Sequence, residues 1–133
     1  MKLLGEDHSD TLLAASNYAA SLRDLRRFEE AKSLLRKTTP VVRRVFGETN
    51  DLTLKMRKIY AMALCGDPTT TLNDFREGVT TFVELERTAR RVLGGAHPFT
   101  TTIERDVRNV RAALSARERP PTPSTQGSEE EDA

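Results

Sequence analysis

The chain has 133 residues, 37% of them hydrophobic and 31% charged, with no Trp and a formal net charge of +1. That length holds about one domain, and a core without Trp must come from Leu, Val, Ala and a few Phe and Tyr, which suits amphipathic helices better than a β-sandwich. Cys65 is the single cysteine, which excludes an intramolecular disulfide and a cysteine-based zinc site within one chain.

The first residues, Met1-Lys2-Leu3-Leu4 followed by Gly5-Glu6-Asp7, are too short for the apolar region of a signal peptide. No later stretch approaches the ~20 apolar residues of a membrane span. A soluble protein of a reducing, cytoplasmic compartment is expected, with no membrane partner. The small net charge conceals a split: residues 1–116 hold 19 Lys/Arg against 15 Asp/Glu, a balance of +4, and residues 117–133 hold 2 against 5, a balance of −3.

Punctuation recurs along the chain, which is the mark of a repeat. Leu4-Gly5-Glu6-Asp7-His8-Ser9-Asp10-Thr11-Leu12 aligns with Phe46-Gly47-Glu48-Thr49-Asn50-Asp51-Leu52-Thr53-Leu54 and with Leu93-Gly94-Gly95-Ala96-His97-Pro98-Phe99-Thr100-Thr101, at offsets of 42 and 47 residues. Each segment reads as one helix stopping at Gly and another starting at Ser, Asp or Pro. The spacing predicts first helices carrying the apolar stripes Ala14, Tyr18, Ser21/Leu22, Leu25; Met56, Tyr60, Ala63/Leu64; and Ile103, Val107, Val110, Leu114. The predicted second helices carry Phe28, Ala31, Leu34/Leu35, Val41/Val42, Val45 and then Phe75, Gly78/Val79, Phe82/Val83, Leu85, Ala89, Val92. Small residues at Ala19, Ala61, Ala31 and Gly78 mark close helix crossings. Pro40 removes one backbone hydrogen bond from the first of these second helices and should bend it near Arg36 without breaking it.

Gly66-Asp67-Pro68-Thr69-Thr70-Thr71 holds the five-residue insertion of the second copy, in a loop where extra length costs little. The expected organisation is an all-α repeat domain over residues 3–116, with repeats at 3–45, 46–92 and a partial third at 93–116. Residues 117–133, rich in Pro, Ser and Glu and without apolar side chains to bury, are expected to form a disordered acidic tail.

Leu4-Gly5-x-x-His8-x-x-Thr11-Leu12, then Asn17-Tyr18, Arg27-Phe28-Glu29-Glu30-Ala31 and Leu34-Leu35-Arg36 resemble the tetratricopeptide repeats of kinesin light chains and kinesin-light-chain-like proteins. The resemblance covers roughly residues 3–114. It implies a short right-handed solenoid of antiparallel helical hairpins, with the first helix of each pair lining a concave groove. It also implies a role in holding a protein or peptide partner.

No residue constellation points to catalysis or to a cofactor, so a non-enzymatic protein is expected. His8 and His97 share one repeat position and read as helix-start residues. His8-Ser9-Asp10 are too close in sequence to converge as a hydrolase triad. Gly94-Gly95 lacks the strand and Lys of a phosphate loop. Cys65 reads as a small packed residue. The Arg26-Arg27, Arg43-Arg44 and Arg90-Arg91 pairs alternate with Asp24, Glu29, Glu30, Glu84 and Glu86 and lack interleaved aromatics, which argues against nucleic acid.

The groove positions read from the first helices are Leu13, Ser16, Asn17, Ala20 and Arg23; Lys55, Lys58 and Met62; and Thr102, Arg105 and Asn109. Asn amides can hold an extended backbone while Lys and Arg attract carboxylates, so an acidic peptide is the expected ligand, with the chain's own tail as one candidate. A different reading is a structural fragment of a longer solenoid that self-associates or lacks independent activity, because Leu3, Leu12 and Tyr18 would start the array with no helix before them.

Overall fold

The computed structural model describes residues 4–119. Five helices account for nearly all of them: α1 (Leu4–Asp24), α2 (Phe28–Phe46), α3 (Asp51–Gly66), α4 (Leu72–Leu93) and α5 (Pro98–Glu118). No strand occurs among the described residues. Loops of three to five residues connect the helices, so each turns back on its predecessor as a helical hairpin. Each helix packs on the next, and α1 also touches α3.

The punctuation residues act as their types allow. Gly47 and Gly94 end α2 and α4 with φ of +89° and +93°, a region L side chains rarely adopt, and their N–H groups bond back to the Arg43 and Arg90 carbonyls. Side chains cap the following helices: Asn50 accepts from the Leu52 N–H at 2.8 Å, Thr71 from Asp74 at 3.0 Å, and His97 Nδ1 from Phe99 at 3.0 Å. Gly5 departs from the expectation. It lies inside α1, because among the described residues no helix precedes it whose end it could close.

Two successive cores repeat one pattern. In the first, Leu12 and Ala19 of α1 meet Leu35 and Val42 of α2 and Met56, Ile59 and Tyr60 of α3. In the second, Leu54 and Ala61 of α3 meet Phe82 and Leu85 of α4 and Ile103 and Val107 of α5. Leu12 and Ala19 correspond to Leu54 and Ala61 at the 42-residue offset, and Leu35 to Phe82 at 47. A third cluster of Leu22, Phe28, Ala31 and Ala63 seals the turn end of the first hairpin. Ala19, Ala31 and Ala61, expected at close crossings, are fully buried. A Cβ on Gly78 would overlap Cys65 Sγ and reach 3.0 Å from Leu64 Cβ, so only glycine fits.

The stripe expected on α1 is corrected. Of the expected positions only Leu22 is buried, on a face with Leu12, Ser16 and Ala19, whereas Ala14, Tyr18, Ser21 and Leu25 are exposed. The equivalent face of α3, with Met56, Tyr60 and Ala63, is covered because α2 precedes it in the stack; among the described residues α1 packs only on α2 and α3, with its other face. Val92, placed on the buried stripe of α4, is likewise exposed, while its neighbour Leu93 packs towards Leu54 of α3. α2 runs unbroken through Pro40.

The boundary at 116 also shifts. Arg117 and Glu118, assigned to the tail, belong to α5, because the Arg117 guanidinium donates to the Thr70 carbonyl at 2.9 Å and lies 5.1 Å from the Phe75 ring centre, while Glu118 pairs with Arg76 at 2.7 Å. The rest of the expected acidic tail, from Pro120 onward, lies outside the described residues. Among the described residues no helix is long and apolar enough to cross a membrane.

Candidate peptide groove on the first helices

Three repeat positions on α1, α3 and α5 define the candidate surface: Leu13/Lys55/Thr102, Ser16/Lys58/Arg105 and Ala20/Met62/Asn109. Helical spacing of three and four keeps each set on one face. Leu13, Asn17, Lys55, Arg105 and Asn109 are exposed, and Ala20, Arg23, Lys58, Met62 and Thr102 are half-buried.

Ser16 is the exception, being fully buried with no hydrogen-bond partner for its hydroxyl among the described residues. It shares the repeat position of Lys58 and Arg105, but its two-atom side chain stops below its neighbours where a Lys or Arg climbs past them. Ser16 is therefore a floor residue of α1 and presents nothing to a ligand.

Two contacts tie the surface together across helices. Arg23 reaches from α1 to Met62 of α3, with Nη1 3.4 Å from Sδ, while its other guanidinium nitrogens hold Asp24. Lys58 of α3 lies 5.6 Å from the ring centre of Phe99 of α5, a cation–π distance. Asn17, Arg105 and Asn109 are not brought into contact with these.

Between α3 and the start of α5 lies a cavity of about 360 Å³ lined by Asp51, Leu54, Lys55, Lys58, Leu93, His97 and Phe99. Its floor is apolar and its wall carries two ammonium groups against the one carboxylate of Asp51, so it suits an apolar side chain flanked by a carboxylate. Sequence reading named Lys55 and Lys58 but missed the apolar floor, because Leu93 and Phe99 come from a loop junction that helical spacing does not connect to α3.

Asp106 was also missed. Burial raises its carboxyl above the ordinary value, while Lys58 and Arg105 pull it the other way. It lies four residues after Thr102 and three before Asn109, so helical spacing alone was enough to place it on this face. The groove is thus of mixed sign at its α5 edge.

The remaining polar chemistry is structural. Burial pushes the Cys65 thiol up to about 12, so it stays protonated, and its sulfur lies 3.8 Å from the Phe75 carbonyl. Lys32, an exposed residue by type, is buried on α2, with Nζ 2.6 Å from Glu29 and 3.2 Å from Asp74 of α4. Tyr60 donates to Glu77 at 2.5 Å and accepts from Arg36 Nε at 3.0 Å. Compared with protein-family models, with characterised proteins and with solved structures, the chain matches none.

Proposed function

We propose that the chain is a non-catalytic, cytoplasmic binding module built from kinesin-light-chain-like tetratricopeptide repeats, and that the face of α1, α3 and α5 holds an extended acidic peptide. The observation that carries this reading is the cavity beside α3, where Leu54, Leu93 and Phe99 form a floor under Lys55 and Lys58. A repeat stack with first helices on one face and a cationic, partly apolar cleft between two of them supplies both terms of peptide recognition: a pocket for a side chain and charges that set polarity. Arg23 extends the positive surface towards α1.

The test is titration of an acidic peptide carrying one bulky apolar residue into the full chain and into Lys55→Glu/Lys58→Glu, at low and at high salt. Affinity should fall about tenfold or more on charge reversal, equivalent to ~1.4 kcal/mol or more. Equal affinity for both proteins removes the groove assignment.

A second reading is favoured by a separate observation. Ala14, Tyr18, Ser21 and Leu25 leave on α1 the face that α3 has covered, which is what a segment of a longer solenoid, or one that self-associates, would present. Sedimentation of the full chain and of Tyr18→Glu separates the readings: a concentration-dependent dimer abolished by the substitution supports association through α1, and a monomer in both supports the independent module.

A further inference from the structure

Carboxylates and guanidinium groups are sorted across α4. Its acidic residues are engaged on the side of α2 and α3: Asp74 with Lys32 and Arg36, Glu77 with Tyr60 and Arg36, and Glu84 with Arg57. On the side of α5, Arg90 takes both Glu86 and Glu104. Arg87, Arg91 and Arg111 line an open cavity of about 410 Å³ together with Val83 and the Arg90–Glu86 pair, and no carboxylate of the described residues pairs with Arg87, Arg91 or Arg111. Arg91 stands in the last turn of α4, where a cation is favoured by the helix dipole; Arg87 and Arg111 are not at helix ends and lack that reason to be there. Three guanidinium groups on two packed helices, beside a Glu86 carboxylate that Arg90 already neutralises, form an anion-binding surface.

We propose that this surface is occupied by the chain's own acidic segment, Glu129-Glu130-Glu131-Asp132. The charge balance calls for it: residues 117–133 carry −3 against +4 for the rest of the chain. Covalent reach then selects the site. Glu129 follows Glu118 by eleven residues, which span at most about 36–40 Å of extended chain. From Glu118 back to Arg111 along α5 is seven residues, about 10 Å of helix, and Arg87 lies near the Val107 level, about 16 Å back. Lys58 sits beside Phe99, nineteen residues before Glu118, about 29 Å away. The arginine flank is reached with chain to spare, and the groove of α3 only by a chain drawn out to about three quarters of its limit, which is entropically the poorer closure. Tethering raises the local concentration of the segment to the millimolar range, enough to populate a contact made of exposed, salt-screened ion pairs.

The experiment attaches a nitroxide at Ser128→Cys in the full chain, with Cys65→Ser leaving a single thiol, and reads paramagnetic relaxation of the backbone amides. At low salt the enhancement should concentrate on residues 83–91 of α4 and 108–114 of α5, and vanish in about 1 M salt, where the screening length is only ~3 Å. It should also vanish in Arg87→Glu/Arg111→Glu. It should vanish equally when Glu129, Glu130 and Glu131 become Gln and Asp132 becomes Asn, a change that leaves every residue of α1 to α5 as it is. Enhancement centred on Lys55 and Lys58, or spread evenly at low salt, overturns the proposal. So does enhancement that appears only between separately labelled chains, since the occupant would then be a second copy.

Discussion

Tyr18 and Tyr60 hold the same position in successive first helices, yet Tyr60 is 8% exposed and Tyr18 56%. The difference is one helix: α2 covers Tyr60 and nothing among the described residues covers Tyr18. Tyr60→Phe should lower stability by ~1 kcal/mol, because Arg36 and Glu77 are themselves half-exposed and rehydrate when the hydroxyl is lost. Tyr18→Phe should change it by less than ~0.5 kcal/mol. Denaturant midpoints of the two variants check the contrast, and equal losses would show that the faces are wrongly assigned.

Alkaline pH should destabilise the protein. Burial, reinforced by the Glu77 carboxylate, pushes the Tyr60 phenol up to about 12, against ~10 in an unfolded chain. Burial alone would lower the Lys32 ammonium, but bonds to Glu29 and Asp74 outweigh it and raise the group above its ordinary value. Both groups hold their protons more tightly when folded, so their contribution is complete below about pH 10 and is lost as pH rises through the folded values, that of Tyr60 lying at about 12. In Tyr18→Phe, where Tyr60 is the sole tyrosine, phenolate absorbance should report an apparent pKa of about 12. Titration near 10 with the helices intact would remove the Tyr60 contacts.

Overpacking at the hairpin crossings should be costly. Gly78→Ala places a methyl group against Cys65 and Leu64, and Ala31→Leu enlarges a fully buried site; each should destabilise by ~1–3 kcal/mol. Thermal unfolding by circular dichroism measures both, and an unchanged midpoint would show that the helix register is wrong.

Lys32 should respond in opposite ways to two substitutions. Asp74→Ala leaves a buried ammonium with Glu29 as its remaining carboxylate and should cost ~1–3 kcal/mol, whereas Lys32→Met replaces the charge with an apolar chain of similar length and should be neutral or stabilising. Matching losses in both would mean that the ion pair carries net stability.

The helices were legible because their signals are local. Gly47 and Gly94 stop helices by backbone conformation, and Asn50, Thr71 and His97 start them by capping N–H groups within three residues. The stripes of α2, α3 and α5, and that of α4 apart from Val92, followed from spacing for the same reason. The stripe of α1 did not, since Leu12/Ala19 and Ala14/Tyr18 are both helical series and only the neighbouring helices decide which one is covered. Ser16 was misplaced because spacing reports a direction and not a height. Lys32 and the Leu93/Phe99 floor depend on partners 42 residues or one loop away, which a single helix does not announce.

The contacts of Arg117 with Thr70 and Phe75 close a 47-residue circuit between the end of α5 and the loop that begins α4. With Arg90 on Glu104 and Lys58 on Phe99, they fasten α5 at its start, middle and end. Among the described residues no helix covers the outer face of α1, where Tyr18 stands in water. The molecule therefore has a direction of opening. Fluctuations should peel α1 first and leave α3 to α5 as the last cooperative unit, so amide hydrogens of α1 should exchange well before those of α4. The cavity beside α3 lies within that last unit, and a ligand held there would not need α1 to remain folded.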